Sequence, residues 1–258
     1  MIEMNNLQCG YGKKRILFQI NATIQQGEIT CILGKNGVGK TTLFKTILGL
    51  VPPQKGSLNL EGKNIRTYSQ HELAKEISYV PQAHGSPFSF TVFDVVLMGH
   101  LTHTKGFFGQ PTKKAKQVAI QCMAFLGLEE LSHQTFSKLS GGQKQMVLIA
   151  RALAQQPKYI AMDEPTSNLD MGNSIKVMNM AKRLRDKGYG IIMNTHSPEQ
   201  AINYANHVIL LKDGRIAATG KPEEIIDSQI ISDIYNANIE LVEAKSSHGH
   251  TCKVCISS

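Results

Sequence analysis

The chain has 258 residues, of which 41% are apolar and 19% charged; 28 Lys and Arg stand against 20 Asp and Glu, for a formal net charge of +8. This is the composition of a globular chain that can bury a full core, as one large domain or two small ones, with no need of disorder. No apolar run reaches the roughly 18 residues needed to cross a bilayer, and Met1 to Asn5 has no basic stretch leading into an apolar one, so the chain is expected to stay in the cytosol.

The basic residues form only short clusters, Lys13-Lys14-Arg15, Lys113-Lys114-Ala115-Lys116 and Lys182-Arg183-Leu184-Arg185, with no aromatics interleaved. Solvated surface is the first expectation for them and an anionic membrane surface the second; nucleic acid is not an expected partner. Cys9, Cys31 and Cys122 lie in or beside apolar segments and are expected as buried thiols, without a disulfide framework.

Strands are predicted over Ile2 to Leu7 and Ile16 to Ile24, where Phe18, Ile20, Ala22 and Ile24 alternate with polar residues. Tyr11 lies between them, flanked by Gly10 and Gly12. It suits either stacking on a base or packing on the strands. The apolar run Ile29 to Leu33 then feeds Gly34-Lys35-Asn36-Gly37-Val38-Gly39-Lys40-Thr41-Thr42, with a helix predicted from about Lys40 to Leu48. Strand, glycine-rich turn and helix in that order make a phosphate-binding loop. Backbone N–H groups turn inward, Lys40 reaches the β- and γ-phosphates, and Thr41 offers a hydroxyl to Mg²⁺.

Ser57 to Glu61 reads as a strand, Ser69-Gln70-His71-Glu72 opens a helix with a capping box, and Ile77 to Val80 is a strand that ends at Pro81-Gln82. Gln82 can reach Mg²⁺ or an attacking water, or serve as an ordinary loop residue. From Ala83 to about Gln156 the pattern is all-helical. Thr91 caps one helix, and a second, from about Thr112, places Val118, Cys122 and Phe125 on one face. Phe88 and Phe90, in a Pro-containing loop, suit core or a contact surface. Leu139-Ser140-Gly141-Gly142-Gln143 leads into a helix over Lys144 to Gln155. It is a second anion site with no lysine or metal ligand nearby.

Tyr159 to Met162 is a buried strand ending in Asp163-Glu164. Two carboxylates there suit different tasks, Asp163 holding Mg²⁺ and Glu164 orienting a water. After a helix from Met171 to Lys187 and a strand from Gly190 to Asn194, His196 stands just before Ser197-Pro198, where Ser197 caps a helix and Gln200 completes a capping box. There His196 can donate to a γ-phosphate or play a structural part. A hairpin over His207 to Thr219, a helical region to about Ala237 and a polar tail follow; the tail carries His248, His250, Cys252 and Cys255, a candidate soft-metal set or an unstructured end.

Taken together, these stations resemble the ATP-binding subunit of an ABC transporter over roughly 1–241. Gly34 to Thr41 is similar to its Walker A loop, Leu139 to Gln143 to its signature and Tyr159 to Asp163 to Walker B. Glu164 matches the catalytic glutamate, Gln82 the Q-loop, Ser167 to Asp170 the D-loop, His196 the switch histidine and Tyr11 the adenine-stacking aromatic; Asn168 departs from the family's usual alanine. The resemblance implies an α/β P-loop NTPase fold: a RecA-like core with an N-terminal antiparallel β subdomain, and an all-helical subdomain inserted at about 83–156. A tail spans 242–258.

It also implies an ATPase working with ATP and Mg²⁺ as a head-to-tail pair of copies. Loop residues Gly34, Asn36, Gly37, Gly39, Lys40, Thr41 and Thr42 would face Ser140, Gly141, Gly142 and Gln143 of the second copy, with Asp170 a further nucleotide-binding residue. The further implied partners are integral-membrane permease subunits at the cytoplasmic face of the membrane and, indirectly, a solute-binding protein. The stretch from Ser86 to His100 looks most like importers of iron chelates, haem, cobalamin or molybdate, with manganese and zinc importers close. A soluble ATPase of iron–sulfur assembly is the alternative from another class.

Overall fold

The computed structural model describes residues 1–82, 89–103, 111–245 and 251–257. The chain divides into two compact units, one made of 1–67 and 192–258, the other of 68–191.

The first unit opens with β1 (Ile2–Tyr11), β2 (Lys14–Ile24), β3 (Ile29–Gly34), α1 (Lys40–Ile47), β4 (Lys55–Leu60) and β5 (Lys63–Asn64). Strands β2, β1, β4 and β5 make an antiparallel sheet in that order. Here the simple alternation expected for β2 breaks. Gln19 takes φ 53° and the β1–β2 register shifts between the Leu7–Ile20 and Cys9–Leu17 pairs, a bulge that turns Leu17 rather than Phe18 fully inward. Phe18 is left half-buried under the Arg215 guanidinium. Strand β1 also runs on past Leu7 to Tyr11, because Cys9, Gly10 and Tyr11 still pair with β2.

The second unit carries α2 (Gln70–Glu76), β6 (Ile77–Val80), α3 (Val92–Gly99), α4 (Lys113–Leu126), α5 (Gly141–Ala154), β7 (Tyr159–Asp163) and α6 (Met171–Asp186). Ser69 caps α2 and Thr91 caps α3, each through a closed capping box, with Glu72 and Asp94 respectively. Helices α3, α4 and α5 pack on one another, and Val92, Val96, Ala119, Met123, Val147 and Ala150 on them are nearly or fully inaccessible. Strands β6 and β7 pair in parallel, Ile77 with Tyr159 through Val80 with Met162. On α4 the Val118 and Cys122 positions are buried as the spacing predicts; Phe125 stays half-buried, with Arg183 and Lys187 over its ring.

Strand β8 (Gly190–Thr195) returns the chain to the first unit, followed by α7 (Pro198–Tyr204), β9 (His207–Lys212), β10 (Arg215–Gly220), α8 (Pro222–Ile225), α9 (Ser228–Tyr235), β11 (Ile239–Lys245) and β12 (Thr251–Ser257). Strand β9 lies parallel to β3 and antiparallel to β10. The segment read as a polar tail from residue 242 belongs instead to a hairpin, with β11 and β12 paired in unbroken register from Ile239–Ser257 to Lys245–Thr251. Its signal is weak in sequence because no residue of β11 is more than partly buried and the partly buried ones do not alternate strictly.

Candidate functional site

In the first unit every residue of β3 is buried, and the strand delivers its chain directly into the loop at Gly34. Gly39 holds the N-cap of α1 at φ 113°, and a Cβ there would come within 2.6 Å of Leu17 Cδ2, so only glycine fits. No side chain caps α1 and no acid stands in its first turn. Its first N–H groups and the positive helix end are therefore presented to an anion. Lys40 is 5% exposed, and its Nζ donates to Gly34 O at 2.8 Å, to Lys35 O at 3.2 Å and to Asn36 Oδ1 at 3.5 Å. The cation is thus held by the loop's own oxygens at the foot of the helix. Thr41 is exposed beside it and Thr42 is buried.

Tyr11 ends β1 opposite Lys14 and is 47% exposed. Its ring is therefore not buried on the strands. A cavity of about 600 Å³ runs along Lys35 to Val38, with Ile16, Asp213 and Asn236 among its other lining residues. His196 is exposed immediately after β8, all six residues of which are buried. Ser197 does cap α7, accepting from Gln200 N, with Pro198 in the first turn. The capping box is not closed. The Gln200 side chain accepts from Thr195 Oγ1 at 3.0 Å, and the Ser197 N–H turns to that same hydroxyl at 3.1 Å.

In the second unit β7 is buried up to Asp163, whose Oδ2 accepts from Tyr79 Oη at 3.4 Å. Burial pushes the Tyr79 phenol up, and the neighbouring Asp163 charge adds to that. Glu164 turns the chain out of the strand at φ 44°, a left-handed conformation that costs a non-glycine residue roughly 1–3 kcal/mol. The turn is closed by Ser167 N–H on Glu164 O at 3.0 Å, and the Ser167 hydroxyl donates to Glu164 Oε2 at 2.8 Å. The carboxylate is thereby oriented at a strained strand end. Asn168, where the resemblance leads one to expect alanine, takes φ 63°; Asn tolerates that region far better than Ala does. Gln82 is half-buried just beyond β6.

Helix α5 begins at Gly141, three residues earlier than the apolar periodicity placed it, because Ser140 and Gln143 form a reciprocal capping box. Gly141 and Gly142 are thus the first two helical residues, with N–H groups that have no acceptor within the helix. A Cβ on Gly142 would meet Asn173 Cγ at 2.3 Å. Asp170 holds that asparagine. Its Oδ1 accepts from Asn173 N and its Oδ2 from Asn173 Nδ2, both at 2.7 Å, and these bonds, the backbone one first, draw the Asp170 pKa below its ordinary value.

Of the four tail candidates, His248 and His250 lie outside the described residues. Cys252 and Cys255 sit three apart on β12, paired with Ala244 and Leu241, and so project to opposite faces of the hairpin. Among the described residues no group of three or more His, Cys, Asp and Glu could hold a metal ion. Cys9, Cys31 and Cys122 are buried as expected, and burial pushes the Cys122 thiol up to about 11. The hydroxyl partners of Glu164 and Asp163, Ser167 and Tyr79, were missed in the sequence. The first depends on a left-handed turn, the second on the pairing of β6 with β7.

A family profile described as ABC transporter matches residues 17–167. An uncharacterized ABC transporter ATP-binding protein of Haemophilus influenzae is 39% identical over 242 residues, covering 94% of this chain and 92% of its own. The petrobactin import ATP-binding protein YclP of Bacillus subtilis is 34% identical over 242 residues, covering 93% and 95%. Among solved structures, one described as a metal-chelate type ABC transporter in an inward-facing conformation matches with a TM-score of 0.87 at 31% identity, over 100% of this chain and 96% of that one. With a lysine buried in a glycine loop at an uncapped helix, and a glycine-led capped helix in the other unit, the chain belongs to the ABC transporter ATP-binding family, whose members hydrolyse ATP.

Proposed function

We propose that this chain energises the import of a metal chelate, as a pair of copies bound to separate permease subunits at the cytoplasmic face of the membrane and fed by a solute-binding protein. The solute class is supported by the relative named for petrobactin import and by the metal-chelate type transporter that matches the whole chain. No helix among the described residues is long and apolar enough to cross a membrane, in keeping with a permease on other chains.

The observation that carries the hydrolytic role is Glu164, strained and oriented by Ser167 at the end of a buried strand. In this reading the loop N–H groups and Lys40 hold the phosphates, and Glu164 accepts a proton from the water that attacks the γ-phosphorus in line with the departing ADP. His196 donates a hydrogen bond to the γ-phosphate, and Tyr11 stacks on the adenine. Thr41, Gln82 and Asp163 each carry an oxygen of the kind Mg²⁺ takes and would be its ligands; the ion would supply charge neutralisation for the phosphates. On the second copy Gly141 and Gly142, within Ser140 to Gln143, supply helix N–H groups to the γ-phosphate, and Asp170 holds the Asn173 that packs against Gly142.

Glu164→Gln tests the role of the carboxylate. Hydrolysis should fall by about 10²–10⁴-fold while ATP still binds and the variant accumulates as an ATP-loaded dimer. Near-normal turnover would remove Glu164 from the chemistry. Uptake of radiolabelled ferric chelate by cells expressing the chain with its permease, compared with the Glu164→Gln cells, tests the transport reading; equal uptake in the two would end it.

A further inference from the structure

His196 stands directly before α7, a helix of seven residues in which only Ala201 is buried. A helix that short does not hold itself in place, so its position is decided by what it leans on. It leans on the end of the chain. Tyr235, the last residue of α9, donates its hydroxyl to the His196 carbonyl oxygen at 2.8 Å. Two turns of contact follow along α7: the Cys255 N–H donates to Glu199 Oε1 at 2.9 Å, and Asn203 exchanges two bonds with the Lys253 backbone, at 2.9 and 3.0 Å.

Those bonds come from a segment that is itself tied together. Ser232 Oγ donates to Ile239 O and accepts from Ile239 N, both at 3.0 Å, and Leu241 N donates to Ser228 Oγ at 2.9 Å, so α9 and the β11–β12 hairpin are one bonded piece. From this arrangement we infer that residues 228–245 and 251–257 form a backing for His196, and that Tyr235 is a positioning residue for ATP hydrolysis. The bond to the His196 carbonyl sets the plane of the peptide that leaves the residue. This fixes the backbone from which the imidazole projects at the junction of β8 and α7. Burial drives the Tyr235 phenol far above its ordinary range, so it remains a donor wherever the protein works. No catalytic contact by Tyr235 is implied. It acts through His196, and the inference rests on the role given to His196 above.

The test uses the full-length chain as wild type, Tyr235→Phe, His196→Ala and the double variant, with steady-state ATP hydrolysis and thermal unfolding measured on each. Tyr235→Phe is expected to lower kcat about three- to tenfold, the rate equivalent of one lost hydrogen bond, with KM for ATP within about twofold and Tm unchanged. In the His196→Ala background the same change should alter the residual rate by less than about 1.5-fold, because nothing is left to position. Asn203→Ala, which removes two of the three hydrogen bonds named between the hairpin and α7, should lower kcat in the same direction and with the same dependence on His196. A wild-type kcat in Tyr235→Phe, or an equal loss with and without His196, overturns the inference and leaves the role of His196 standing. Full hydrolysis by His196→Ala overturns that role first and the inference with it.

Discussion

Two helices in this chain begin at glycines and look similar on paper, yet they are built to do different things. Helix α1 starts from Gly39 with no capping side chain, and a nearly inaccessible lysine is locked onto the loop oxygens just before it. Helix α5 starts from Ser140, whose hydroxyl has already taken the Gln143 N–H, while the Gln143 side chain takes the Ser140 N–H. One terminus keeps its first-turn donors for a ligand and adds a full positive charge. The other uses one donor on its own cap and keeps the two glycine N–H groups. The first can hold a triphosphate. The second can only add to a phosphate that something else holds.

The largest effect should come from removing the charge that separates them. Lys40→Ala takes away the cation and leaves Gly34 O and Lys35 O without their donor; ATP affinity in a fluorescent-nucleotide titration should fall about 10²–10³-fold. If affinity falls less than about threefold, α1 is no better a phosphate site than α5 and the contrast fails.

Next in size is Gly142→Ala. Its methyl would meet Asn173, so hydrolysis should drop about 10–100-fold while the Lys40 loop still binds ATP normally. Adding Asn173→Ala sharpens the point. Recovery of most of the rate means Gly142 is needed for packing against α6; continued failure means it is needed for close approach of the phosphate.

The smallest effect is expected from Ser140→Ala measured without nucleotide, where loss of the cap costs about 1 kcal/mol and lowers Tm by about 2–4 °C. No comparable cap exists at Gly39 to lose. A Tm unchanged in Ser140→Ala would mean that the box closes without contributing to stability.

Most of what lies within about four residues was readable in advance. The phosphate loop, the Ser69 box, the Thr91 and Ser197 caps and the acidic end of β7 all depend on side chains meeting their own neighbours' backbone, and the residue types state those meetings directly. Local chemistry was misjudged at two places. Gln19 at φ 53° shifted the inward face of β2 from Phe18 to Leu17, and the Thr195 hydroxyl competed for the Gln200 side chain, which did not close its box.

What only the tertiary structure decided are the partners of the reactive groups. Tyr79 reaches Asp163 from 84 residues away because β6 and β7 pair in parallel, and Tyr235 reaches His196 from 39 residues away because α9 and its hairpin fold back onto α7. Which residues would bind the phosphates was written in short motifs, since glycine angles, helix caps and strand ends are local. What holds those residues in place depends on strand register and on the packing of distant segments, and no short stretch of sequence carries either.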